Sequence, residues 1–183
     1  MAGNPENASL WADADVYLGA SKADVTPTSA TADMPAGARL VGLLSGDDGF
    51  GNAREMESND FYAWGGILVR TSHRNIKVTK SFTLLEDNAA TRDIVWPGSS
   101  ATELVVPRPS RHFLTFELRE GDRTKRLITV RPAQVMLSGD YSESEGDLTQ
   151  YPITATIYPD GNGRLFEVQD TLDAAAPDPD AGV

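Results

Sequence analysis

The residues of this 183-residue chain that could do chemistry fall into a few groups. The densest is the acidic run Asp140-Tyr141-Ser142-Glu143-Ser144-Glu145-Gly146-Asp147. Hard cations such as calcium want several oxygen ligands, but the spacing here matches no calcium-loop pattern. The run reads instead as a solvated or contact-making hairpin tip. The glycine cluster Gly46-Asp47-Asp48-Gly49-Phe50-Gly51 lacks the Lys-Ser/Thr of a phosphate loop and precedes no helical pattern, so it reads as a turn. His73 falls in an expected hairpin turn and His112 at a strand start, neither with a partner at metal-ligand spacing; both read as surface histidines. Arg119, Arg123, Lys125, Arg126 and Arg131 form the one basic stretch, interleaved with Glu120 and Asp122. It lacks the stacking aromatics of a single-strand nucleic-acid groove. A charged hairpin, or a patch that meets acidic surfaces of a sister subunit, suits it better.

Catalytic constellations are not found. There is no Gly-x-Ser-x-Gly elbow and no Ser-x-x-Lys, and nothing selects one carboxylate pair for glycoside chemistry. With no cysteine in the chain, disulfides, thiolate metal sites and cysteine nucleophiles are excluded. The expectation is a protein that is not an enzyme and needs no cofactor or metal.

Charge narrows the class further. Sixteen basic against 27 acidic side chains leave a net −11, and nonspecific affinity for phosphate comes from Lys and Arg. The charge is uneven. Residues 1–35 carry Glu6, Asp13, Asp15, Asp24 and Asp33 against Lys22, a net −4. Residues 167–183 carry five acids and no base, a net −5, so the body between holds only −2. No apolar run approaches the roughly 18 residues of a membrane span. No basic-then-apolar leader opens the chain, which leads us to expect a soluble protein made in a cytoplasm-like compartment.

The elements that must position these groups are strands. Residues 76–84 alternate, with Ile76, Val78, Phe82 and Leu84 on one face and Lys77, Thr79, Ser81 and Thr83 on the other. Residues 63–71 form a second strand, with Ser72-His73-Arg74-Asn75 as the turn between the two. Residues 112–119 put Leu114, Phe116 and Leu118 on one face. Residues 125–137 are β-rich and interrupted by Pro132, marking an edge position or a bulge. Residues 151–158 alternate, and Asp160-Gly161-Asn162-Gly163 is a turn before residues 164–168. Residues 39–44 and 50–57 add two shorter strands. Only residues 86–94 argue for a helix, stopped by Pro97-Gly98. The expected fold is mainly β: an antiparallel sandwich or barrel with one flanking α-helix. The expected divisions are an extended N-terminal arm over residues 1–37, a β domain over 38–170 and a flexible acidic tail over 171–183. The arm contains large apolar residues, Leu10-Trp11 and Val16-Tyr17-Leu18. These want a partner surface, either on the chain's own sheet or on another copy.

The order of segments resembles the major tail tube proteins of long-tailed, siphovirus-type bacteriophages, in particular those of actinobacterial phages. The resemblance runs from about Val16 to Val168. It rests on Val16-Tyr17-Leu18-Gly19 before a Thr/Pro/Ala-rich stretch, then Leu40-Val41-Gly42-Leu43-Leu44-Ser45-Gly46-Asp47-Asp48-Gly49. Ala63-Trp64-Gly65-Gly66 follows, leading into Val69-Arg70-Thr71. Phe82-Thr83-Leu84-Leu85-Glu86 then runs into a helix over residues 88–95. Two closing strands at 128–137 and 151–158 end in the Asp160-Gly161 turn. The acidic ends are a departure from the family pattern.

The resemblance implies a subunit that assembles as hexameric rings stacked into a hollow tube, located in the virion tail and made in the bacterial host cytoplasm. It implies self-association as the main partnership, a tape-measure protein in the lumen, and tail terminator and tail-tip proteins at the ends. Double-stranded DNA would pass through without sequence-specific binding, and no direct membrane insertion is implied. On this reading the candidate assembly contacts are Trp11, Val16, Tyr17 and Leu18 in the arm. Asp140, Tyr141, Glu143 and Glu145 in the acidic run are the second set, facing basic residues such as Arg119 or Arg123 across an interface. An acidic wall would repel the DNA backbone. The alternatives are a monomeric binding sandwich, such as an adhesin or a virion decoration protein, and a carboxylate-pair hydrolase.

Overall fold

Alternating apolar residues separated by glycine, proline and aspartate turns produce nine antiparallel strands among the described residues. The computed structural model describes residues 8–174. In chain order the strands are β1 (Asp13–Gly19), β2 (Arg39–Leu40), β3 (Gly51–Ala63), β4 (Ile67–Leu84), β5 (Ser110–Glu120), β6 (Arg123–Thr129), β7 (Ala133–Leu137), β8 (Tyr151–Ile157) and β9 (Phe166–Asp170). A 3-10 turn spans Lys22–Val25, helix α1 spans Ala89–Val95, and a short α2 spans Thr171–Ala174. The remainder of the expected C-terminal tail lies outside the described residues, as do residues 1–7 of the expected arm. The mainly-β, antiparallel expectation holds.

The strands form one sheet in the order β2-β1-β5-β7-β8-β4-β3, with β6 pairing β5 and β9 away from that path. Strand β5 is the pivot. Its Thr115–Glu120 half pairs β6, its Ser110–His112 end pairs β7, and β1 lies along its other side. Residues 130–132 separate β6 from β7. Pro132 therefore divides two strands, because it has no N–H for the ladder, instead of sitting as an irregularity within one. The core gathers Val16 and Leu18 of β1, Leu114 and Phe116 of β5, Phe82 and Leu84 of β4, Ile153 of β8 and Ile94 of α1. Edge-to-face contacts of Phe116 with Phe50, Phe82 and Phe166 at 5.4–6.4 Å knit its centre.

Helix α1 begins three residues later than the sequence suggests. Asn88 is its cap, its side-chain oxygen accepting from the N–H groups of Ala90 and Thr91. The Asn88 amide also donates to the Val41 carbonyl at 2.8 Å, and Glu86 accepts from Leu43 N–H at 3.1 Å. These bonds clamp residues 41–43 against the helix start. Gly42 sits in that clamp with φ at 101°, where a Cβ would lie 2.4 Å from Glu86 Oε2. Only glycine fits there.

Two expectations fail in opposite directions. Over its described residues, 8–37, the N-terminal segment is not an extended arm: β1 is flanked by β2 and β5, and Val16, Leu18 and Val25 are fully buried. Conversely, residues 72–75 are not a turn. They lie inside β4, and the reversal falls at Trp64-Gly65-Gly66, where the two glycines have φ of 89° and 79°. The error has a local cause. Asn75 has φ of 54°, and the pairing slips between Glu55 and Glu57, so a β-bulge at this point mimics turn composition.

Candidate interaction surfaces

The residues picked out from sequence are placed mostly inside the chain's own structure. Val16 and Leu18 are core, a correction to their assignment as contacts with another copy. Tyr17 points to the other face of β1 and is half-buried, with its phenol pushed up by burial and by the nearby Asp15 and Glu117 carboxylates. Trp11 lies under the Arg123 guanidinium at 4.8 Å, and the backbone beside it is tied down by Ala12 N–H donating to the Arg119 carbonyl at 3.0 Å. This stretch docks on its own sheet.

The basic stretch is likewise satisfied internally. Arg119 donates to Asp13 at 2.6 Å, to Asp15 at 2.6 Å and to Glu117. The other oxygen of Glu117 pairs with Arg126. Arg126 in turn donates to the carbonyls of Ser29 and Ala32 at 2.8 and 2.7 Å. This network fastens residues 20–37 over the outer face of β5, where Thr115 also donates to the Val25 carbonyl at 2.6 Å. Arg123 pairs with Asp170 at 3.0 Å. Burial works against the charge of Arg119, but its bonds to Asp13 and Asp15 outweigh that and hold its pKa above the ordinary value. The hydrogen bond from Arg119 holds the Asp13 carboxyl below its own. Arg119 and Arg123 are therefore engaged by acids of their own chain, a correction to the patch expected to meet a sister subunit.

Asp140, Glu143 and Glu145 are exposed on the irregular connection between β7 and β8. Tyr141 anchors that connection by its ring, which lies 4.7 Å from that of Tyr151. No group of metal-ligating side chains converges among the described residues. The glycine cluster is a turn leading into β3, as expected. His73 is exposed within β4 and not in a turn. His112 is half-buried, its pKa lowered by burial.

What the sequence reading passes over is the distal half of the β3–β4 hairpin. From Val78 to Ser81 β4 pairs β8 as well as β3, but residues 67–77 pair only with β3. At about 3.4 Å per residue this part projects on the order of 35 Å from the body. Its stem is held by polar cross-strand contacts: Thr71 to Asp60 at 2.7 Å, Asn75 to Glu57 at 2.7 Å and Lys77 to Glu55 at 3.6 Å. Its tip is apolar, with Phe61, Tyr62, Ile67, Leu68 and Val69 all exposed and Trp64 at 101 % of its free-residue surface. The outer edge of β3 ends the sheet. A signal existed in the sequence: Trp-Gly-Gly flanked by apolar pairs is hairpin chemistry.

No protein-family model matches this chain, and no curated protein matches it either. The surfaces themselves carry the functional argument.

Proposed function

We propose that this chain is a self-assembling structural subunit of the major tail tube type. In this reading it is a β-sandwich or barrel that closes into hexameric rings, which stack into a tube serving as a conduit for DNA. The observation that carries the reading is the projecting hairpin. A two-stranded ribbon is marginal in water by itself, and an exposed apolar tip beside an open strand edge is an aggregation hazard unless another chain covers it. Between residues 51 and 77 the ribbon holds Arg54, Arg70, Arg74 and Lys77 against Glu55, Glu57 and Asp60. That near-neutral balance lets copies of an otherwise acidic protein meet without strong repulsion.

A second feature suits a tube wall. Thr79 and Ser81 of β4 pair Thr156 and Thr154 of β8, which in turn pair Gln134 and Met136 of β7. Together they make an uncharged, largely hydroxyl-bearing face opposite the core. Such a face offers phosphate no cation to hold it.

The test is electron microscopy and sedimentation of the full chain beside a Trp64→Ser/Ile67→Ser variant. Rings or tubes from the wild type and single subunits from the variant are expected. A wild-type protein that stays monomeric at high concentration, with or without preformed tail tips as initiator, would overturn the assembly reading in favour of a monomeric binding module.

A further inference from the structure

Lys80 is the most buried basic side chain among the described residues, at 2 % exposure. It lies on the apolar face of β4 between Val78 and Phe82. Among the described residues its ammonium makes a single hydrogen bond, to the neutral Asn52 Oδ1 at 2.8 Å, and sits over the rings of Phe50 and Phe116 at 5.1 and 4.9 Å. An ammonium carries three donors, and a buried charge is costly unless it is paired. The other basic groups drawn into the body have acids of their own: Arg119 with Asp13 and Asp15, Arg126 with Glu117, Arg123 and Lys125 with Asp170. Lys80 has no carboxylate partner among the described residues. The two rings compensate in part, yet burial and the neighbouring charge of Lys125 pull its pKa from 10.5 to about 8.

Lys80 borders a cavity of about 280 Å³ lined also by Trp11, Phe50, Asn52, Leu118, Lys125 and Leu127. Two cations and an amide meet apolar and aromatic walls there, and no acidic side chain lines the space. We propose that this cavity is a binding site for a carboxylate borne on an apolar or aromatic stem. Lys80 is its ion-pair partner, Lys125 a second positive charge at the mouth, and Trp11 and Phe50 the walls against which the stem packs. A singly charged, planar carboxylate suits the site better than a phosphate. A dianion costs more to strip of water and would meet Asp170, 3.8 Å from Lys125. The carboxylate has two sources, a free small acid or an Asp or Glu side chain of a second copy. Because Trp11 precedes β1 while Asn52 and Lys80 lie at the root of the hairpin, the ligand would bridge the N-terminal segment to that root.

The chain has only four lysines, Lys22, Lys77, Lys80 and Lys125, so carbon-13 labelling at the lysine ε position gives a spectrum with few signals to assign. Benzoate titrated into dilute protein should shift the Lys80 and Lys125 signals saturably, leave Lys22 and Lys77 in place, and raise the titration midpoint of Lys80 from about 8. Lys80→Met keeps an apolar side chain of similar length beside the cavity, and with it the benzoate shift at Lys125 should vanish. Lys125→Met should weaken binding by no more than about fivefold, as expected for a partly solvated charge. Raising the protein concentration without benzoate separates the sources. A shift of Lys80 that grows with protein concentration, and that raises the benzoate concentration needed for half-saturation, assigns the carboxylate to a second copy, and its absence alongside benzoate binding assigns a free acid. No shift in either arm, or equal shifts at all four lysines, would overturn the proposal.

Discussion

Residues 8–37 and residues 51–77 make an instructive pair. Both are long, both are mixed in polarity, and each does what the other is expected to do. The first has small residues, prolines and acids, the composition of an arm, yet it folds in as a strand and a covering segment. The second reads as ordinary body strands, yet it leaves the body as a ribbon. The difference lies in where each segment finds partners. Val16 and Leu18 meet Phe116 and Leu114 across β5, and the carbonyls of Ser29 and Ala32 meet Arg126. Among the described residues the hairpin tip meets only itself. Composition describes a segment's own cost of ordering, while its fate depends on surfaces supplied a hundred residues away.

Truncation gives the largest expected effect. Deleting residues 1–35 should abolish folding, because it removes Val16, Leu18 and Val25 from the core and strips Asp13 and Asp15 from Arg119. Loss of cooperative thermal unfolding is expected, and a folded, soluble truncation would return the segment to the status of an arm. Next in size, Glu117→Ala should cost about 3–5 kcal/mol in denaturant unfolding, since it leaves Arg126 buried beside an empty partner. A cost near zero would mean the covering segment is held by its apolar contacts alone.

Asp170→Asn should cost about 1.5–3 kcal/mol at neutral pH through its charged hydrogen bonds to Arg123. Burial pushes the Asp170 carboxyl up, but the bonds from Arg123 and Leu172 and the charge of Lys125 hold it below 3.8 on balance; Asp13 is held below 3.8 by Arg119. A carboxyl depressed in the folded state stabilises above its unfolded pKa and loses that contribution as pH falls through its folded value. Stability should therefore decline below about pH 4, with a shallower decline in Asp170→Asn. The smallest effect is expected at the other region. Trp64→Ser should change subunit stability by no more than about 0.5 kcal/mol while reducing self-association seen by sedimentation. A large loss of stability instead would show the tip to be covered by its own chain.

Much of this was legible in the residues. Strands β5, β8 and β9, the turn at Asp160, the turn at Gly46 and the helix before Pro97 all follow from alternation and punctuation. What was not legible was long-range. Thr115 and Glu117 look like the solvent face of β5, and only the return of residues 20–37 across them makes them interior. The bulge at Asn75 looked like a turn because αL-tolerant residues serve both. Lys80 stood in plain view as a lysine on the apolar side of an alternating strand, but its unpaired burial required the neighbouring rings to be placed.

The pairing of β1 with β5 also sets a timetable. Asp13 pairs Arg119 and Gly19 pairs Phe113, so the first strand to be synthesised must wait for a partner made about 100 residues later. At about 5–20 residues per second of synthesis, that is a delay of roughly 5–20 seconds. Over that interval the β3–β4 ribbon can close on its own local turn within microseconds, while Val16 and Leu18 stay open to the medium. The segment most deeply built into the finished subunit is thus the one most exposed while the chain is being made, and the ribbon that ends outside is the first to take shape.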